Sequence, residues 1–142
     1  MKKYVLAILL LCGVVFSWGI YTSLHKSGES QAASSVAGEL ISGAPQDVPV
    51  AGTVTMVDLG AHKCVPCKMM APIIKELSTE YDGRAAIVFI DVWENADIPQ
   101  QFGLRTIPTQ IFYDDKGVEQ FRHEGFLDKE SIVAALKKLG VQ

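Results

Sequence analysis

The sequence predicts an α/β fold in which a mixed central sheet is covered by helices on both faces. One observation is the order of the predicted elements, strand–helix–strand–helix–strand–strand–helix. Strands joined through helices favour parallel pairing, and a closing hairpin adds an antiparallel pair. A second observation is an apolar segment at the N-terminus, which predicts a hydrophobic helix preceding this domain. The chain of 142 residues is long enough for one domain with such an addition.

The strands are predicted from short apolar segments that are rich in β-branched residues. They cover residues 53–59, 85–90 and 109–113. The turn at 114–117, which ends in Gly117, leads into a returning strand over 118–123. The last two strands therefore form a hairpin.

The helices are predicted from apolar residues that recur on one face. In the first long helix these residues share a 3.6-residue period, and they are Met70, Ile73, Ile74, Leu77 and Tyr81. A short helix is predicted over 95–102. Asp128 is a suitable N-cap for the last helix, and Gly140 ends it. The apolar face of that helix consists of Ile132, Val133, Leu136 and Leu139.

The N-terminal segment predicts attachment to a membrane. Lys2 and Lys3 precede an uncharged apolar run of about 18 residues, which is near the lower limit for crossing a bilayer. The lysines favour a cytoplasmic N-terminus. We therefore predict a signal anchor over 1–22, a flexible linker rich in Ser, Gly and Ala over 23–46, and a folded domain over 47–142 that faces the periplasm or the cell exterior.

Two alternatives remain open for this segment. Cleavage as a signal peptide would leave the domain soluble in the periplasm, although the small residues Ala32 and Ala33 follow the apolar run only at a distance. Lipid attachment at Cys12 is the other alternative, but Leu11 stands where a small residue is expected. A small apolar filler is the simpler interpretation of Cys12.

Composition argues against several classes of function. The net charge of −3 and the lack of a basic stripe with aromatic residues give no indication of nucleic-acid binding. Of three cysteines, Cys12 lies in the apolar run, so one pair remains for the domain and there is no separate structural disulfide framework. We expect a monomer without a cofactor or a metal.

The most informative motif is Cys64-Val65-Pro66-Cys67. Two thiols at this spacing can close and reopen a small disulfide ring, and Pro66 favours the start of a helix. A thiol at a helix N-terminus is stabilised as the thiolate by the helix dipole and by unpaired backbone N–H groups. Cys64 is therefore the predicted attacking sulfur and Cys67 its buried resolving partner.

The arrangement resembles the thioredoxin family. The similarity covers roughly residues 52–140, and its motifs are the segments 57–59, 64–72 and 106–109 together with Gly125. The resemblance implies a thioredoxin-like fold, with Asp58 as the buried carboxylate that exchanges a proton with the resolving thiol. It also implies that Ile107 and a cis-Pro108 pack beside the cysteines, and that Gly125 leaves room for a bound peptide.

Some of these residues can also be interpreted without the family. An Asp at the end of an apolar strand is unusual, and burial should raise its pKa into the range useful for proton transfer to a thiol. The alternative is an ordinary carboxylate at the start of a loop. His62 and Lys63 precede the first cysteine. The family usually has a tryptophan directly before that cysteine, at the position of Lys63. The positive charge of His62 and Lys63 would favour the Cys64 thiolate, unless they are merely exposed loop residues.

Two further departures concern the surroundings of the cysteines. Val65 replaces a glycine that is usual between them, so no reduction potential can be carried over. The family lysine near the buried Asp is matched by Ile87. Its loss predicts a more strongly raised pKa for Asp58.

Other uses of the cysteine pair are less well supported. Zinc would require further ligands, and only His25, His62 and His123 are available. Covalent haem attachment requires His after the second cysteine, where Lys68 stands. A purely structural disulfide, or a tethered binding or chaperone module, remains as an alternative.

The expected activity is thiol–disulfide exchange. The resemblance favours a protein-disulfide reductase that acts on disulfide-containing exported proteins and receives electrons from a membrane donor. A disulfide oxidase or isomerase of the same fold is the alternative.

Overall fold

The computed structural model describes residues 39–142, and these residues build a four-stranded mixed sheet. The strands are β1 (Thr55–Gly60), β2 (Ala86–Asp91), β3 (Thr109–Tyr113) and β4 (Glu119–Glu124). They lie in the order β2-β1-β3-β4. β1 and β2 are parallel, whereas β1 with β3 and β3 with β4 are antiparallel. The predicted mixed sheet and its closing hairpin are confirmed.

Three helices connect or follow the strands: α1 (Val65–Glu80), α2 (Ile98–Gln101) and α3 (Lys129–Lys138). α2 is shorter than the predicted 95–102. α3 begins as predicted, because the Asp128 side chain accepts a hydrogen bond from the backbone N–H of Ser131 at 2.9 Å. This capping bond satisfies one of the N–H groups that a helix start leaves unpaired.

The helices cover both faces of the sheet. On one face, α1 and α3 pack on the strands, with Met70 and Ile74 from α1 and Leu136 from α3 in the same core cluster as Met56 of β1. The other face has its own cluster, in which Ile98 of α2 packs with Val57 of β1 and its neighbours. Alternate residues of a strand point to opposite faces. Asp58 therefore shares the face of Met56, towards α1.

The segment before β1 contacts the second core cluster. Leu40, Val48 and Val50 pack against that cluster, and Gly43 forms an isolated parallel bridge with Ile90. Leu40 and Gly43 fall within the segment predicted as a linker. Among residues 39–142, no helix has the length and apolar character needed to span a bilayer. The predicted anchor over 1–22, Cys12 and most of the linker lie outside the described residues.

Candidate active site

The cysteine pair lies at the start of α1. Cys64 is the N-cap residue with extended backbone angles, and Pro66 occupies the first turn. The two cysteines are paired as a disulfide, with their Cα atoms 5.2 Å apart. Both are largely buried, with exposed fractions of 9% for Cys64 and 4% for Cys67. The more exposed cysteine, Cys64, is the one at the positive end of the helix, where a thiolate is stabilised.

Gly60 at the end of β1 allows α1 to approach the sheet closely. A Cβ atom at this position would lie 3.3 Å from Cys67 Cβ and 3.4 Å from Cys67 Sγ. Gly60 and Asp58 are two residues apart on one strand and so lie on the same face. Asp58 therefore lies two residues along β1 from Gly60, where the strand contacts the resolving Cys67.

Asp58 is almost completely buried, with an exposed fraction of 1%. Its Oδ1 accepts a hydrogen bond from Nε2 of Gln110 at 2.8 Å, and its Oδ2 has no partner among the described residues. Burial raises the pKa of Asp58 to about 7, and the hydrogen bond from Gln110 opposes this rise. A carboxyl group with a pKa near neutrality can both accept and return a proton at physiological pH.

Pro108 and Gly125 meet beside the cysteines. The Ile107–Pro108 peptide bond is cis, as predicted. The backbone N–H of Gly125 donates a hydrogen bond to the carbonyl of Pro108 at 2.8 Å. Ile107 packs against the cluster formed by Ala61, Cys64 and Cys67. The structure thus brings together the predicted residues Ile107, Pro108, Gly125 and the two cysteines.

His62 and Lys63 are both exposed, but only His62 has a described partner. His62 Nδ1 lies 2.6 Å from Oδ2 of Asp91, and the His62 backbone N–H donates to the same oxygen at 2.8 Å. A proton on His62 would therefore be paired with the Asp91 carboxylate. This contact limits the charge that His62 can offer to Cys64.

Asp91 at the end of β2 organises the loop that precedes the cysteines. Its Oδ1 accepts the backbone N–H groups of Trp93 and Glu94, while Oδ2 accepts the two contacts from His62. Burial alone would raise the pKa of Asp91, but hydrogen bonds from His62, Trp93 and Glu94 outweigh it and the pKa is lowered. Asp91 thereby links the loops that follow β1 and β2.

The same groups offer the best cation ligands in the described part of the chain. One ligand atom from each of His62, Asp91 and Glu94 lies within 4.8 Å of the others. Both Asp91 oxygens, however, already accept hydrogen bonds from the protein. The role of Asp91 in holding the two loops together is therefore enough to explain why a carboxylate stands at this position.

Ile87, matched by sequence to the family lysine near Asp58, lies on the same face as Asp58 but one strand repeat away. Ile87 pairs with Met56, and the residue opposite Asp58 in β2 is Phe89. The match of Ile87 to the family lysine stays a sequence-based prediction. The aromatic ring of Phe89 also contacts the edge of His62, with ring centroids 5.1 Å apart.

Sequence reasoning missed Gln110, Asp91 and Gly60. Gln110 is a long polar side chain inside an otherwise apolar strand, and Asp91, like Asp58, follows an apolar strand segment. Either signal could have identified the residue. Gly60 gave no comparable signal, because its close contact with Cys67 depends on how α1 docks on β1.

These features define a thiol–disulfide redox site: a cysteine pair at a helix start, a buried carboxyl group beside it, and a cis-proline loop against the sulfurs. Comparisons with known proteins agree with this class. The family model described as Thioredoxin matches residues 46–138. The chain belongs to the thioredoxin family, and it is a thioredoxin-type thiol–disulfide oxidoreductase.

Individual relatives support the same assignment. The chain is 37% identical over 91 residues to a thioredoxin of Pseudomonas aeruginosa, covering 64% of this chain and 83% of that protein. It is 40% identical over 85 residues to a thioredoxin of Staphylococcus saprophyticus, covering 60% and 81%. A crystal structure of a thioredoxin from Nicotiana alata superposes with a TM-score of 0.55 at 34% identity, covering 61% of this chain and 73% of that one.

Proposed function

We propose that this protein is a protein-disulfide reductase that acts outside the cytoplasmic membrane on disulfides of exported proteins. The observation that carries the direction is the buried Asp58 on the same face as the contact between Gly60 and Cys67. A reductase must deprotonate its resolving thiol during every turnover, and a buried carboxyl group with a pKa of about 7 is suited to that step.

In the proposed reaction, the Cys64 thiolate attacks one sulfur of a substrate disulfide. A mixed disulfide forms, and the other substrate sulfur leaves as a thiolate that takes a proton from solvent. Asp58 then accepts the proton of Cys67, and the Cys67 thiolate attacks the Cys64 sulfur. The second substrate sulfur is released, the substrate has gained two electrons, and the enzyme is left with the Cys64–Cys67 disulfide.

The residues next to the cysteines support binding of such a substrate. Ile107, which precedes the cis-Pro108, packs against the cysteines, and Val65 in the motif is 72% exposed. Gly125 has a φ of +102°, and a Cβ there would meet nothing within 4 Å. An extended peptide could therefore approach this edge without contacting a side chain at Gly125.

The location outside the membrane rests on the N-terminal sequence. Lys2, Lys3 and the apolar run that follows favour a signal anchor with the domain on the outer side. The oxidised enzyme would then be recycled by a membrane electron donor, because it lies outside the compartment of the soluble reductases. A fusion of alkaline phosphatase to the C-terminus, combined with membrane fractionation, tests this placement, because the phosphatase needs its disulfides and is active only outside the cytoplasm. A stably expressed fusion without phosphatase activity would refute the placement.

Insulin reduction coupled to dithiothreitol tests the activity. We expect the intact chain to precipitate the insulin B chain and Cys64→Ser to abolish this activity, whereas Cys67→Ser should accumulate the mixed disulfide. The equilibrium potential of the cysteine pair against glutathione then tests the direction. A potential well above that of the glutathione pool would favour the oxidase or isomerase alternative and overturn the proposed reductase.

A further inference from the structure

The most unusual buried side chain near the cysteines is Gln110. It stands directly opposite Asp58 in the pairing of β1 with β3, and it is completely buried. Its Nε2 donates a hydrogen bond to Asp58 Oδ1 at 2.8 Å, and its Oε1 has no partner among the described residues. Within residues 39–142, the Gln110 side chain therefore makes one polar contact, and that contact is with the predicted proton acceptor.

Fold stability does not explain this choice of residue. A buried acceptor without a partner is costly, and an apolar side chain of similar shape would avoid that cost. The neighbouring strand positions Ile111 and Phe112 are apolar and completely buried. A glutamine at position 110 is thus unfavourable for packing, and its hydrogen bond to Asp58 is the compensating interaction.

In the disulfide form, no charged side chain among residues 39–142 pairs with Asp58. Phe89 faces it from β2, and α1 contributes the two cysteines through the approach at Gly60. On the far side of Gln110, the sheet places His123 of β4 opposite it, and the His123 Nε2 lies 3.1 Å from the carbonyl of Phe126. Within the described residues, Gln110 is the one hydrogen-bond partner of the Asp58 side chain.

We propose that Gln110 is a positioning residue for proton transfer: its donated N–H stabilises the ionised form of Asp58 and fixes Oδ1, so that Oδ2 stays free to accept the proton of Cys67. Without this bond, burial would hold Asp58 in its protonated form at neutral pH. The inference rests on the proposed function, because it assigns Gln110 to the step in which Cys67 resolves the mixed disulfide.

Gln110→Met tests the proposal, because methionine has a similar length and is apolar. Loss of a hydrogen bond to a charged group should raise the pKa of Asp58 by about one to two pH units. The titration is followed by the ¹³C chemical shift of the Asp58 carboxyl carbon in the oxidised protein. The pH at which the resolving step reaches half its maximal rate should rise by the same amount.

Two further variants separate positioning from a general structural effect. Ile111→Val alters the same strand on the opposite face, and it should leave both the Asp58 titration and the pH profile unchanged. In the Asp58→Asn background, Gln110→Met should cause no further shift of the pH profile, because the carboxylate on which it acts is gone.

The outcomes are distinct. An upward shift of the Asp58 titration in Gln110→Met, absent in Ile111→Val, supports the proposal. An unchanged or lowered pKa would overturn it, and a lowered pKa would mean that the amide mainly stabilises the protonated acid. The titration of Asp58 does not depend on insulin reduction. An intact chain without reductase activity would refute the proposed function, but the effect of Gln110 on the pKa of Asp58 could still be measured.

Discussion

Replacing Asp58 with Asn should make the oxidised protein more stable, and the gain should increase with pH. The carboxyl group is buried, and its pKa rises from 3.8 to about 7 on folding because burial disfavours the charged form. Asn keeps an oxygen that can accept the hydrogen bond from Gln110. The substitution therefore removes the ionisation with little change in shape.

The direction in which stability changes with pH follows from the number of protons bound by the folded and unfolded states. Between pH 3.8 and about 7, Asp58 is ionised in the unfolded chain and protonated in the folded one. The folded state then binds more protons, so the stability of the natural protein falls as pH rises through this range and levels off above it. A shift of this size corresponds to about 4 kcal/mol at pH 8, at about 1.4 kcal/mol per pH unit.

Urea denaturation of both proteins between pH 4 and pH 8 measures this difference. We expect the free energies of unfolding to differ little at pH 4 and the Asn variant to gain several kcal/mol by pH 8. Asp128→Asn is a suitable control, because hydrogen bonds from Ser131 lower the pKa of Asp128 below its usual value, so this substitution should leave the pH dependence between pH 4 and pH 8 nearly unchanged. A constant difference between the Asp58→Asn variant and the natural protein across this range would refute a raised pKa for Asp58.

Three other substitutions test the framework around the cysteines, each by urea denaturation. Gly60→Ala should destabilise the fold by about 1–3 kcal/mol and slow disulfide exchange, because its Cβ would press on Cys67; unchanged stability and rate would contradict the close contact. Asp91→Ala should cost roughly 2–4 kcal/mol, because it leaves several backbone N–H groups without their acceptor; a smaller loss would mean that solvent replaces it. Gly125→Ala should cost about 1–3 kcal/mol through its positive φ alone, since its Cβ meets no neighbour; no loss would show that the loop relaxes easily.

Much of the fold could be predicted because local patterns and tertiary packing agree. The apolar face of α1 and the Asp128 cap are local signals, and both are present in the structure. α2 was predicted too long, because the residues that precede Ile98 are held in turns, with Asn95 donating hydrogen bonds to the carbonyls of Gly43 and Asp91. Such contacts join segments distant in sequence and leave no local pattern.

The candidate site was predicted in its central residues and missed in its supporting ones. The cysteine motif and Asp58 carry chemistry that depends on residue type, so the sequence identifies them. The side chain opposite Asp58 depends on strand register, which pairs Asp58 with Phe89 and is not evident from the sequence of either strand. Gln110 required the antiparallel pairing of β1 with β3, which joins strands separated by two helices and a further strand.

The contrast between Gly60 and Val65 indicates which position can be varied to change the reactivity of the cysteine pair. The side chain of Val65 points largely into solvent, whereas a methyl group at Gly60 would lie only 3.3 Å from Cys67 Cβ and 3.2 Å from the ring of Phe89. Libraries that vary the residue between the cysteines should therefore yield many folded proteins of differing reactivity. Variation at Gly60 should instead change stability and exchange rate together, because any side chain there contacts Cys67.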